Sequence, residues 1–305
     1  MPEPDLFWRR SNLGYRMFAA NDRFIREKLD AVRASGFVGI SDALLTLFVS
    51  IDPHGTRVSD IALRAGLTKQ SVVELIDRAE KLDFAERSVD PDDRRARIVR
   101  FTPHGEALSA RLRAALTEAE QGLIASAGPD FVAVFKARFG AYSAMPVGDA
   151  SVVGEADGSR DQAEWRSGNA GRVLALASRR FAREALSRVQ VHGYREVGEG
   201  LLALFRNLDL GGTRLTELAA RAHMTKQSMR ELADRAEALG FIARFTDAVD
   251  RRAKVITFTE PGRVLLGALG NGVAQAEVET GRIVGAKFLA ETKTRLAAYA
   301  GSPTR

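Results

Sequence analysis

Lys69, Gln70 and Ser71 follow Thr68 in the stretch TKQSVVELIDRAEKLDF, and Lys226, Gln227 and Ser228 follow Thr225 in TKQSMRELADRAEALGF. Threonine is a good helix N-cap, because its hydroxyl can satisfy one of the free amides at a helix start. The other free amides and the positive end of the helix dipole suit a phosphate. A lysine there adds charge. A glutamine can offer a paired donor and acceptor to adenine, a contact worth about 1–3 kcal/mol of discrimination. Helical spacing gathers Val72, Leu75, Ile76, Ala79 and Leu82 on one apolar face and leaves Lys69, Gln70, Val73, Glu74 and Asp77 outward. In the second stretch Arg230 replaces Val73, while Glu231 matches Glu74. A carboxylate can accept from a cytosine amino group, but it also repels phosphate. The candidate binding residues for a partner that offers phosphates and base edges are Lys69, Gln70, Ser71, Val73 and Glu74, with Lys226, Gln227, Ser228, Arg230 and Glu231.

The two stretches are identical at 12 of 17 positions, too many for unrelated helices that share only a hydrophobic pattern. Shifting the sequence by 157 residues also pairs Trp8 with Trp165, Asn12 with Asn169, Gly14 with Gly171, Phe24 with Phe181 and Tyr142 with Tyr299. The duplication thus predicts two domains, 1–145 and 165–305, joined by a linker at 146–164 that has no sustained periodicity. About 20 flexible residues reach roughly 25 Å, enough for the halves to associate side by side.

Each predicted domain carries the same order of elements. A long helix with a broad apolar stripe runs from about Leu6 to Ala34. A second helix starts at Ser41 or Asp42 and ends at the turn signal DPHG. A short helix from Ser59 to Arg64 leads to Gly66, and the Thr68 helix follows. Two short strands then surround a polar tip, FAERSV–DPDDRR–ARIVRF in the first copy and FIARFT–DAVDRR–AKVITF in the second. A helix pair joined by a tight turn and followed by a charged hairpin is a winged helix. Long helical patterns after each hairpin, with the N-terminal helix, read as an association module. The fold class expected is mainly α with small β-hairpin wings.

These features resemble the MarR family of bacterial transcription regulators, and do so twice. The resemblance rests on Thr68–Phe84, Asp93-Arg94-Arg95, Phe101-Thr102 and Gly105, and on their counterparts Thr225–Phe241, Asp250-Arg251-Arg252, Phe258-Thr259 and Gly262. It implies that terminal helices form a dimer interface, that the Thr68 helix enters a major groove and that the wing reaches a minor groove. Arg94, Arg95, Arg251 and Arg252 are then wing contacts, supported by Asp93 and Asp250. Two fused copies can supply both halves of the usual dimer, as a pseudo-twofold intrachain dimer that is monomeric in solution. The resemblance also implies a small aromatic or lipophilic effector, for which Phe37, Phe48, Tyr194 and Phe205 are candidate contacts.

Composition bounds the alternatives. The net charge of +6 points to an anionic partner, double-stranded DNA first. Residues 1–148 hold 21 basic against 20 acidic side chains and residues 165–305 hold 23 against 14, so the positive excess lies in the second copy. The nearly neutral first copy keeps open an interaction protein in which one or both winged helices no longer read DNA. The chain has no cysteine, which removes disulfides and thiolate metal sites. Its four histidines are scattered without ligand spacing, and the duplication leaves no room for a catalytic domain. No catalytic residue, metal or cofactor is expected. MPEPDLFWRR is not a secretory signal and no apolar run approaches a membrane span, so a cytoplasmic protein is expected.

Overall fold

Ser41, Thr68 and Thr102 begin helices by the same means. Each side-chain oxygen accepts the amide three residues on, at 3.4 Å from Leu44, 3.1 Å from Ser71 and 3.0 Å from Gly105. A computed structural model of the chain describes residues 8–65, 67–90, 97–145, 168–222, 224–246 and 254–301. The linker assigned to 146–164 and the wing-tip residues lie outside these, as does Gly66.

Through residue 145 the elements are α1 (Trp8–Ser11), α2 (Leu13–Ala34), α3 (Asp42–Val49), β1 (Thr56–Arg57), α4 (Val58–Ala65) and α5 (Lys69–Lys81). They continue with β2 (Ala85–Val89), β3 (Arg97–Phe101), α6 (Pro103–Ala127) and α7 (Pro129–Ala144). From residue 168 the same order recurs as α8 (Ala170–Gln190), α9 (Glu199–Asn207), β4 (Thr213–Arg214), α10 (Leu215–Arg221) and α11 (Lys226–Ala238). The remaining elements are β5 (Ile242–Thr246), β6 (Lys254–Phe258), α12 (Glu260–Val284) and α13 (Ala286–Ala300).

Two local differences from the sequence reading have clear causes. The first helix is interrupted at Asn12, whose side-chain oxygen accepts the Tyr15 amide at 2.9 Å and so caps a new start. Each hairpin also gains a third, antiparallel strand, giving the orders β1-β3-β2 and β4-β6-β5. Thr56 pairs with Val99 and Thr213 with Ile256. A two-residue strand is too short to leave an alternating pattern in sequence.

The described chain divides into two compact units. One takes Met17–Ala177 and Thr294–Thr304, the other Met1–Arg16 and Ser178–Lys293, so each draws on both sequence repeats. In the first, Phe24, Leu44, Phe48, Ile61, Val72, Ile76 and Val99 build the core. Glu120 accepts the Ala170 amide at 3.4 Å and Lys136 at 2.7 Å. A Cβ on Gly171 would lie 2.4 Å from the Phe24 ring. The Tyr299 hydroxyl donates to Glu27 at 2.7 Å, and the Arg23 guanidinium lies 4.4 Å from the Tyr299 ring centre. Burial, then that bond to Glu27, raises the Tyr299 pKa.

The second unit centres on Leu201, Leu204, Phe205, Leu218, Met229, Ile242 and Ile256. Glu277 accepts the Leu13 amide at 2.5 Å and pairs with Lys293 at 2.8 Å. A Cβ on Gly14 would lie 2.7 Å from the Phe181 ring. Gly14 and Gly171, Phe24 and Phe181, Glu120 and Glu277, and Lys136 and Lys293 are the same four positions under the shift of 157. Each unit therefore holds one copy of a single contact scheme.

The hairpin is tied to α5 by Arg87. Its amide donates to Glu80 at 3.0 Å, and its guanidinium reaches Glu80 at 2.8 Å, Asp77 at 2.5 Å and the Val73 carbonyl at 3.2 Å. Arg244 repeats this with Asp234 at 2.6 Å and Glu237 at 2.9 Å. The far side of each helix is pinned too: Arg78 donates to the Gly39 carbonyl and Arg235 to that of Glu196, both at 2.9 Å. Behind the hairpin, Gly105 and Gly262 start α6 and α12 so close to it that a Cβ would fall 1.8 Å and 1.9 Å from the carbonyl oxygens of Phe84 and Phe241.

Two stability measurements follow. Gly105→Ala must displace backbone and should cost at least about 2 kcal/mol in urea unfolding, with Gly262→Ala similar. Arg87→Ala removes a partly exposed ion-pair network and should cost only about 1 kcal/mol after solvent screening, while speeding amide hydrogen exchange across Ala85–Val89.

Candidate nucleic-acid interface

The α5 helix buries Val72, Ile76 and Ala79 and turns Lys69, Gln70, Val73 and Glu74 to solvent, with Ser71 half-buried beside the cap. Its first intrahelical bond is Val72 amide to Thr68 carbonyl at 3.0 Å, so the amides of Lys69 and Gln70 precede the helical ladder. On α11, Met229, Ala233 and Ala236 are buried and Lys226, Gln227, Arg230 and Glu231 are exposed, with Ser228 half-buried. Thr225 accepts the Ser228 amide at 3.0 Å, as Thr68 does for Ser71. The structure thus brings all ten sequence-assigned helix residues to two equivalent, accessible helix starts.

Within each set, the glutamine and glutamate one turn apart are joined. Gln70 Nε2 donates to Glu74 Oε1 at 3.3 Å, and Gln227 Nε2 to Glu231 Oε1 at 2.9 Å. Asp77 and Glu80 point towards Arg87, which offsets charge that would otherwise repel a polyanion beside the exposed face. Arg87 and Arg244 escaped the sequence reading. Their signal was the recurrence, under the 157 shift, of an arginine ten residues after an aspartate and seven after a glutamate.

Arg94, Arg95, Arg251 and Arg252, with Asp93 and Asp250, lie outside the described residues. The strands that lead to them do not. β2 pairs with β3 from Ala85–Phe101 to Val89–Arg97, and β5 with β6 from Ile242–Phe258 to Thr246–Lys254.

The four aromatic ligand candidates fall in different surroundings. Phe205 lines a cavity of about 110 Å³ in the second unit, with Trp8, Tyr15, Phe181 and Arg206 among its other walls. Arg9 also lines it and donates to the carbonyls of Phe205 and of Leu208, the latter at 2.7 Å. Burial of this guanidinium lowers its pKa, and Asp209 opposes the shift. Tyr194 packs 6.1 Å from the Phe241 ring. Phe48 is core, 5.8 Å from Phe84, and Phe37 stacks 5.6 Å from His104. Among the described residues no cluster of His, Asp or Glu could hold a metal ion, and no helix is long and apolar enough to cross a membrane.

Three solved structures share local similarity with the chain. A probable transcriptional regulator from Pseudomonas aeruginosa is 20% identical, with 37% of this chain and 82% of that chain covered and a TM-score of 0.31. A transcriptional regulator from Thermotoga maritima is 21% identical, with 37% and 79% covered and a TM-score of 0.30. A transcriptional repressor, CouR, bound to a 23-mer DNA duplex, is 25% identical, with 38% and 80% covered and a TM-score of 0.31. No curated protein matches the chain significantly. A family model described as the MarR family matches residues 40–96, which run from the loop before α3 through the first strand of the hairpin.

Proposed function

We propose that the chain is a sequence-specific DNA-binding transcription regulator, a ligand-responsive repressor in which two winged helices of one chain act as the halves of a pseudo-dimer. The observation that carries this reading is the pair of capped, solvent-facing helix starts at Lys69 and Lys226, the first within the segment that the MarR family model matches. Such a start offers amides, dipole and lysine to phosphate and presents the next turn to base edges. In this reading Arg94, Arg95, Arg251 and Arg252 contact the minor groove, with Asp93 and Asp250 steadying them.

Support for the intrachain pseudo-dimer comes from the repeated contact scheme of Gly14 with Phe181 and Gly171 with Phe24, each inside one unit that contains both repeats. Reciprocal use of the same patch is the mark of a twofold interface. One chain is then a complete binding unit, monomeric in solution. Its two recognition helices differ on their exposed face at Val73 and Arg230, so the operator is asymmetric, with an added phosphate or guanine contact at the Arg230 half-site. In this reading the effector is a small aromatic or lipophilic molecule, and the cavity beside Phe205, walled by the rings of Trp8, Tyr15 and Phe181, is where it binds.

The near neutrality of residues 1–148 favours one competing reading, in which the first winged helix binds protein and only the second reads DNA. Neutralising Lys69 with Arg95, and separately Lys226 with Arg252, distinguishes the two. If both halves bind DNA, each double variant lowers affinity and makes the salt dependence shallower by about one unit for every phosphate no longer neutralised. An effect from the second pair alone assigns the first half to another role. Footprinting on the chain's own promoter should show two protected half-sites about 34–36 Å apart, or a multiple of that. No protection at any salt concentration would remove the DNA-binding reading. Exchanging Val73 and Arg230 should invert the preferred half-site orientation; an unchanged preference contradicts the asymmetric operator.

A further inference from the structure

We infer that α5 and α11 select bases bearing an exocyclic amino group in the major groove, adenine or cytosine, at the position facing Glu74 and Glu231. The inference deepens the DNA-binding reading and rests on it. Its observation is the Gln–Glu pairing on each helix, 3.3 Å for Gln70–Glu74 and 2.9 Å for Gln227–Glu231. The pairing is the same in both copies although an intervening residue, Val73 or Arg230, is not.

The chemistry follows from what the pair has left to offer. A glutamine amide has two N–H donors and a carbonyl with two lone pairs, and an ionised carboxylate only accepts. With one N–H directed to the glutamate, the pair retains the glutamine oxygen, the second carboxylate oxygen and one N–H. The exposed edge is therefore rich in acceptors. In the major groove only adenine N6 and cytosine N4 donate, while guanine N7 and O6 and thymine O4 accept. Guanine or thymine facing the carboxylate would set acceptor against acceptor and leave both unsatisfied. Adenine fits especially well, because its N6 amino group can donate to the pair while N7 takes the remaining glutamine N–H.

Charge near the helix start allows the approach. Lys69 and Lys226 stand one residue before each glutamine, and the arginine bridges from the hairpin engage Asp77, Glu80, Asp234 and Glu237. Glu74 and Glu231 are thus the acidic side chains of these helices placed beside the glutamine readers, and they act by excluding the wrong base as much as by binding the right one.

The test uses the full chain to select duplexes from a random pool, then measures affinity for the selected site with single bases replaced. Purine replaces adenine, or 2-pyrimidinone replaces cytosine, so that only the amino group is removed. At one position in each half-site the replacement should weaken wild-type binding about 10-fold. Glu74→Gln and Glu231→Gln, both exposed and shape-preserving, should each abolish that penalty in one half-site and admit guanine or thymine there, because the new amide can donate. Every base pair carries one such amino group on one strand or the other, so a selected site at which removing no amino group weakens binding overturns the inference, as does an unchanged base preference in both variants. Binding without any sequence preference overturns it too. If no duplex is retained even at low salt, the DNA-binding reading itself fails, which is a separate result.

Discussion

A phenylalanine ring set against a helix that has no side chain at the point of approach is the constraint on which this architecture depends. Gly171 admits Phe24 in one unit and Gly14 admits Phe181 in the other. Any larger residue at either glycine would meet the ring inside van der Waals contact, so packing at this distance requires glycine. Because each pair joins residues from the two sequence repeats, each compact unit depends on both. The carboxylates of Glu120 and Glu277 reinforce it by capping the starts of α8 and α2.

The exposed helices α5 and α11 are tied to their surroundings by arginine. Arg87 and Arg244 join the hairpin to α5 and α11, while Arg78 and Arg235 join the same helices to the loops before α3 and α9. A base-reading side chain is only as selective as the element that positions it. Here arginines tie each helix on two sides, and at its start the lysine and the joined glutamine and glutamate face outward.

Much of this was legible in the sequence because it rests on local rules. Thr68, Thr102 and their duplicates mark helix starts by capping chemistry, and the apolar spacing of Val72, Ile76 and Ala79 fixes which face of α5 is buried. The repeat at 157 residues located every major element twice. What stayed hidden depends on tertiary partners. The strand at Thr56–Arg57 exists only because β3 lies beside it, and the break at Asn12 only because a side chain outcompetes the helical ladder. The role of Arg87 requires two acids to arrive from another element, and the cavity beside Phe205 is walled by Trp8 from far along the chain. Aromatic residues alone could not separate it from core positions such as Phe48.

The equivalent helices α5 and α11 differ sparingly on their exposed face: the cap, the lysine and the Gln–Glu pair are kept while Val73 and Arg230 diverge. Under the proposed function a single chain is the whole DNA-binding unit. Sedimentation of the protein with a duplex carrying its footprinted site tests this most directly. The predicted result is one chain per two-part duplex; a complex that requires two chains on that duplex would contradict it.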